Sequence, residues 1–305
     1  MRLCIIYLFA IKIAVSSGNR PTTLVDPTPI VLWHGMGDTC CNSYSLGGFA
    51  AFLKKQIPGV YVFSLKFGNS TIEDLESGYF MSPNKQILYA CNILMKNPKL
   101  KNGFNVIGFS QGSQFLRALV QRCGHKLPPI KNLISVGGQH QGIYGLPNCG
   151  PLVRICDYLR KMLNLAAYEK WVQSGLVQAT YWHDPLAEKK YQEKSEFLSE
   201  INNELFINQT YIDNLNKLDK LVMIKFNNDS IVQPRESEWF GFFAPGQSEK
   251  LITLQESRIY IEDRLGLQKM DKAGKLVFLS TDGDHLRFTD TWFIKNIIKP
   301  YLRNA

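Results

Sequence analysis

A serine hydroxyl is a weak nucleophile until a neighbouring base takes its proton, so the first question is which serine could have such a partner. Gly108-Phe109-Ser110-Gln111-Gly112 fits Gly-x-Ser-x-Gly, a pattern that exposes a serine on a tight turn between a strand and a helix. That spacing also arises by chance, and the rest of the chain must decide. Three other polar clusters follow apolar runs: His34-Gly35-Met36-Gly37-Asp38, Asn227-Asn228-Asp229 and Thr281-Asp282-Gly283-Asp284-His285. Ser110, Asp229 and His285 together supply a nucleophile, an acid and a base. His285 would accept the Ser110 proton during attack and return one to the leaving group. Asp229 would fix the tautomer of the ring and stabilise the imidazolium. The developing oxyanion needs donors as well. The first turn offers the N–H of Met36, and the helix start after Ser110 offers that of Gln111, where the helix dipole favours negative charge.

These groups act together only if the fold brings them to one edge. Pro29 to Trp33, Gly59 to Phe67, Phe104 to Ile107, Asn132 to Val136, Lys220 to Phe226 and Lys275 to Leu279 read as strands, rich in Val, Ile, Phe and Tyr. Asn84 to Lys96, Gln114 to Arg122 and Asp290 to Ile298 carry helical spacing, the last stopping before Pro300. Strands alternating with helices imply a largely parallel sheet covered on both faces. In such a sheet, reactive groups gather beyond the carboxyl ends of the strands. The order Ser, Asp, His is that of the α/β-hydrolases. The expected fold is therefore α/β: a mostly parallel central sheet with a helical insertion, about 139–218, before the acid-bearing strand.

Rival acids fit this arrangement less well. Asp213, Asp219 and Asp263 lie within or before elements, and Asp282 and Asp284 sit close enough to His285 to shape its turn. His125, His140 and His183 lie away from strand ends and read as surface or packing residues. His34, within the oxyanion turn, reads as structural.

Composition sets the setting. The 305 residues are 45% hydrophobic and 20% charged, which suits an ordinary globular protein with a full core. The net charge of +9 comes from scattered Lys and Arg, so nucleic acid is not an expected partner. A mildly basic surface suits peripheral contact with anionic membranes instead. Residues 1–17, with Arg2, an apolar run and small residues near Ser17, read as a secretory signal peptide, although Lys12 interrupts the run. No transmembrane segment is expected. Residues 18–305 then form a single domain. Cys4 falls in the signal, leaving six cysteines whose even number suggests disulfides with pairing left open. No Cys/His spacing indicates a metal. Asn69, Asn208 and Asn228 each begin a glycosylation sequon.

Several long stretches carry a more specific signal. WHGMGDTCCN, VIGFSQGSQFLRAL, VGGQHQGIYGLPNC, ATYWHDP, NDSIVQPRESEWFGFF and RLGLQKMDKAGKLVFLSTDGDH resemble the lysosomal palmitoyl-protein thioesterases of the type-1 kind, from about Pro27 to Leu302. The resemblance implies hydrolysis of long-chain acyl thioesters on S-acylated cysteines of proteins or peptides. The product is a long-chain fatty acid, and no cofactor is needed. It places catalysis on Ser110, Asp229 and His285 and oxyanion binding on Met36 and Gln111. It implies an acyl groove at Gln139, Val177, Trp182 and Ile231. It implies disulfides Cys40–Cys41, Cys91–Cys123 and Cys149–Cys156, the first a vicinal pair that ring strain alone would not suggest. The destination it implies is the lysosome lumen through the secretory pathway, with secretion as the other outcome. Two departures stand out: Gln233 beside Pro234 where relatives often carry an acid, and no sequon at Glu193-Lys194-Ser195.

Other functions share parts of this pattern. A lipase or an acyl-CoA thioesterase would use the same three residues on a different acyl donor. A non-catalytic relative that binds lipid or protein would need no complete set, and an acyl carrier without turnover would show one acyl-enzyme burst and then stop. An ordinary imidazole titrates near ~6.5 and an acid partner raises it, so activity is expected to fall below about pH 5.5.

Overall fold

The computed structural model describes residues 26–145, 162–163 and 165–303. The signal segment 1–17 and the pair Cys149 and Cys156 lie outside the described residues. Six strands form the main sheet: β1 (Ile30–Trp33), β2 (Val62–Ser64), β3 (Phe104–Phe109), β4 (Ile130–Val136), β5 (Lys220–Phe226) and, last in the chain, β8 (Leu276–Thr281). Their order is β2-β1-β3-β4-β5-β8, with every pairing parallel. This is the α/β-hydrolase architecture expected from the residues.

β1 and β3 are buried along their whole length, as central strands covered on both faces must be. The period of two divides them between two cores. Val31, Trp33 and Val106 pack with α3 (Pro83–Met95) and α4 (Gln111–Cys123) on one face. Ile30, Leu32, Ile107 and Phe109 pack with α1 (Leu46–Gln56) and the C-terminal helix on the other. The chain leaves β1 toward β2 on one side and leaves β3 toward β4 on the other. The connections diverge beside the carboxyl ends of β1 and β3, the place where a parallel sheet gathers its reactive groups.

Some elements differ from expectation. β2 covers only the middle of 59–67, because this edge strand has β1 as its one partner. α1 and α2 (Thr71–Phe80) were not anticipated, nor was the small antiparallel pair β6 (Phe242–Phe243) and β7 (Leu251–Ile252). The final helix does not stop before Pro300. It passes from α-helix at Asp290–Phe293 into π-helical turns over Ile294–Leu302, held by Ile297, Ile298 and Leu302 in the core.

Between β4 and β5 the described residues are helical, in short pieces rather than long rods: 170–175, 177–181, 185–187, 188–194, 198–201 and 209–216. Polar side chains close some of these turns. Gln173 donates to the carbonyls of Ala167 and Ala179, and Asp184 and Asn208 cap the turns that follow them. Arg117, buried within α4, donates to the carbonyls of Ile201 and His140 and to Asn202 Oδ1, tying this region to the sheet. Burial pulls its guanidinium down to about 9, against the pull of Tyr191, Glu200 and Glu204.

Candidate active site

Ser110 stands between β3 and α4 with φ of 53° and ψ of −125°, a region that side-chain-bearing residues rarely adopt. Its N–H donates to the Val136 carbonyl at 2.8 Å, which holds the turn. The flanking glycines are required by space. A β-carbon on Gly108 would lie 2.5 Å from backbone atoms of Ser113, and one on Gly112 would lie 2.4 Å from the His34 carbonyl oxygen. The turn after β1 comes equally close, since a β-carbon on Gly35 would sit 3.1 Å from that of Ser110. Met36 follows directly in that turn, and Gln111 is the first residue of α4. Of the two expected oxyanion donors, Gln111 thus adjoins Ser110 in the chain and Met36 adjoins the glycine that packs against it.

The acid and the base arrive from the ends of β5 and β8. His285 Nε2 lies 3.0 Å from Ser110 Oγ, and its Nδ1 lies 2.5 Å from Asp229 Oδ2. Asp229 is buried, and its Oδ1 accepts the N–H groups of Ile231 and Val232 at 2.7 and 2.8 Å. Burial opposes its charge. Hydrogen bonds from His285 and Glu238, then the His285 charge and the Val232 N–H, outweigh burial and hold the carboxyl below its ordinary range. The two loops are laced together. Asn227 donates to the Thr281 carbonyl, and Asp284 Oδ1 accepts from the N–H groups of Ser230 and His285. Asp284 thus shapes the His285 turn, as its proximity implied.

Three of the remaining histidines take packing roles, and the fourth, His125, is exposed beside Asn214. His140 stacks on Phe240 and has Ser135 Oγ 2.8 Å from its Nε2. His183 lies between Tyr191 and Phe242. His34 is buried against Asp74, which also accepts the N–H groups of Cys40 and Phe67. Burial disfavours the charged ring, but the Asp74 bond and charge, the Gly35 carbonyl and Asp38 together raise its pKa.

Three groups around the site escaped the sequence reading. Asp74 sits on the unanticipated α2, whose start is marked by Ser70 accepting from the N–H of Glu73, a spacing legible as a capping box. Tyr181 donates to Gln111 Oε1 at 3.2 Å, while Gln111 Nε2 donates to the Gly78 carbonyl at 3.0 Å. Glu238 is fully buried beside Asp229, and its one signal was an acid amid aromatics in SEWFGFF.

The other expected residues are placed as follows. Val177 begins the 3-10 turn that carries Tyr181, and Trp182 packs on Tyr144, whose N–H donates to the Gln233 carbonyl. The Gln139 carbonyl accepts from Gln114 Nε2 on α4, and Ile231 lies two residues beyond Asp229, half-buried. Disulfides join Cys40 to Cys41 and Cys91 to Cys123. Asn69, Asn208 and Asn228 are exposed. No helix among the described residues is long and apolar enough to cross a membrane.

The sequence matches the family model described as palmitoyl protein thioesterase over residues 29–285. It is 47% identical to palmitoyl-protein thioesterase 1 of Caenorhabditis elegans, covering 90% of this chain and 91% of that one. It is 36% identical to palmitoyl-protein thioesterase 3 of Dictyostelium discoideum, over 98% and 95%. Lysosomal thioesterase PPT2-B of Xenopus laevis is 28% identical, over 84% and 85%. With the family model spanning most of its length, the chain belongs to the palmitoyl protein thioesterase family.

Proposed function

We propose that this chain is a serine thioesterase that removes long acyl chains, palmitoyl above all, from S-acylated cysteines of proteins or peptides. The observation that carries the reading is the hydrogen-bonded chain Ser110–His285–Asp229, at the expected strand ends of a member of this family. Ser110 Oγ attacks the thioester carbonyl as His285 takes its proton. The C–S bond then breaks, the departing cysteine sulfur taking that proton from His285 to leave as the thiol and restore the neutral base. With a thiol pKa of about 8.5 the leaving group departs readily. Water, deprotonated by His285, then hydrolyses the acyl-serine to a fatty acid. The N–H groups of Met36 and Gln111 hold the oxyanion in both steps.

Gln139, Val177, Trp182 and Ile231 form the acyl groove in this reading. The mechanism calls on no metal or cofactor. The chain is a single α/β-hydrolase domain over 18–305, with its acyl-binding insertion at about 139–218, after a signal peptide at 1–17. It carries glycans at Asn69, Asn208 and Asn228 and resides in the lysosome lumen, a location in keeping with the names of its relatives. Its contact with acylated membrane proteins is peripheral.

The test is hydrolysis of an S-palmitoyl-cysteine peptide by wild type and Ser110→Ala. A loss of about a thousandfold or more is expected; equal rates would overturn the reading. Palmitoyl-CoA and a triglyceride run in parallel separate a protein thioesterase from an acyl-CoA thioesterase or a lipase.

A further inference from the structure

Glu238 lies in the 3-10 turn Arg235–Trp239, with no exposure to solvent. Its Oε2 accepts the N–H of Phe226, the last residue of β5, at 2.8 Å, and its Oε1 meets no donor. One side-chain N or O atom each from Asp229, Glu238 and His285 lies within 4.8 Å of the others. Two carboxyl groups buried this close do not both ionise, because each charge raises the cost of the other. The donors decide which one stays charged. Asp229 receives the N–H groups of Ile231 and Val232 and the His285 ring, whereas Glu238 receives one amide. Asp229 is therefore the anion. Glu238 is the acid, and a proton on its Oε1 finds an acceptor in Asp229.

The surrounding charges leave this assignment intact. The Lys225 ammonium lies over the Trp239 ring, 4.4 Å from its centre. Arg235 donates to the Asn227 carbonyl and pairs with Glu236. Asp284, on the His285 loop, is bound by Ser230 and adds only negative charge. Burial, then the hydrogen bond and charge of Asp229, push Glu238 well above the ordinary carboxyl range, in agreement with the donor count. A cation in the same triplet is disfavoured, since one ring nitrogen of His285 is engaged by Asp229 and the other by Ser110.

We propose that Glu238 is a positioning residue, a neutral carboxylic acid whose hydrogen bond to Asp229 fixes that carboxylate and tempers the negative charge facing His285. Without this donor the full charge of Asp229 would bear on the ring and favour the imidazolium. More of the enzyme would then hold a protonated, inactive base in an acidic compartment. Glu238 extends activity toward lower pH than a plain acid–histidine pair allows.

The experiment rests on the thioesterase reading and compares pH profiles of kcat/KM on an S-palmitoyl-cysteine peptide for wild type, Glu238→Gln and Glu238→Leu, with Ser110→Ala as the blank. Glutamine reproduces both contacts, donating to Asp229 through its amide and accepting from Phe226 through its carbonyl. E238Q is expected to keep the acid limb of wild type within about 0.3 pH, while E238L moves it upward by about one pH unit. An E238Q limb displaced downward by a unit would mean that the native residue is ionised, and the proposal fails. It fails equally if E238L lowers the plateau without moving the limb. Infrared spectra at neutral pH give a readout independent of turnover and of the folding of E238L. The carbonyl stretch of a buried protonated acid is expected as a band in the difference between wild type and E238Q, in which the signal of Glu204 cancels, and the absence of that difference band overturns the proposal. Full turnover by Ser110→Ala would sink the thioesterase reading alone, leaving the infrared band to judge Glu238.

Discussion

Ser110 is held in an unfavourable backbone conformation by neighbours that leave it no alternative. Its φ of 53° aims the hydroxyl out of the sheet toward His285, and the bond from its N–H to the Val136 carbonyl resists relaxation. The two motif glycines make that turn possible, for reasons of space rather than flexibility. At Gly112, where α4 passes against the end of β1, an added methyl would lie 2.4 and 2.5 Å from the carbonyl oxygens of His34 and Trp33. Both are backbone atoms in a buried strand and turn, so neither gives way cheaply. Gly112→Ala is expected to lose about 3 kcal/mol or more of stability, together with activity. Gly175→Ala serves as the control, since nothing lies within 4 Å of the added methyl. Thermal melts and activity assays check the pair, and an active Gly112→Ala variant of normal stability would contradict the close approach described here.

At the scale of elements, the insertion and α2 converge on the start of α4. The hydroxyl of Tyr181 donates to the Gln111 side chain, which in turn donates to the Gly78 carbonyl on α2, shared with Gln178. Gln111, whose backbone N–H is proposed to hold the oxyanion, is thus clamped from two sides through its side chain. Tyr181→Phe leaves Gln111 Oε1 buried without this donor, at a cost of about 1–3 kcal/mol. A fall in kcat of about three- to tenfold is expected, of similar size on a short-chain and a palmitoyl thioester. A loss confined to the palmitoyl substrate would assign Tyr181 to the groove instead. This clamp also marks where the sequence stops being readable. Ser110, Asp229 and His285 could be found because each follows an apolar run, and strand ends in a parallel sheet converge by topology. Tyr181, Asp74 and Glu238 act through contacts between segments distant in the chain, and a buried polar residue in a loop looks the same in sequence as an exposed one. α1 begins at Leu46 with no side-chain cap, so only a weak local signal marked it. In the insertion, the composition showed helix, but side-chain bonds to the backbone, such as those of Gln173, broke it into short turns.

For the molecule as a whole, several buried groups tie stability to pH with the same sign. Glu204 is buried at the junction of the insertion with the 258–264 segment; its carboxyl meets the Tyr191 hydroxyl at 3.4 Å, while Arg258 and Arg264 bind its backbone carbonyl instead. Burial is the main cause that raises it to about 7; Glu188 adds to the rise, while the charges of His183, Arg258 and Arg264 oppose it. A carboxyl raised on folding binds its proton more tightly in the native state. Its contribution is complete below the unfolded value of 4.5 and is lost as pH climbs to about 7. The difference amounts to about 3 kcal/mol for this group. Glu238 acts in the same direction. His34, raised by Asp74, likewise contributes fully below its ordinary ~6.5 and less as pH rises through its folded value. Asp229 and His140 have the opposite sign. The lowered Asp229 carboxyl loses stability only as pH falls below the ordinary carboxylate range. The His140 ring, pushed well below its ordinary ~6.5 by burial and then by the Arg117 charge, opposes the two raised carboxyls as pH falls below that value without outweighing them. The balance puts maximum stability in mildly acidic solution, about pH 4.5 to 5.5, with a decline toward pH 8. Urea unfolding across that range should show the decline in wild type and a shallower one in Glu204→Gln between pH 4.5 and 7. Stability that rises from pH 5 to 8, or a Glu204→Gln slope equal to that of wild type, would show that these buried groups do not govern the pH response. The proposed lysosomal setting gives the sign its meaning, since the acidity that hampers a histidine base is the condition in which this scaffold is most stable.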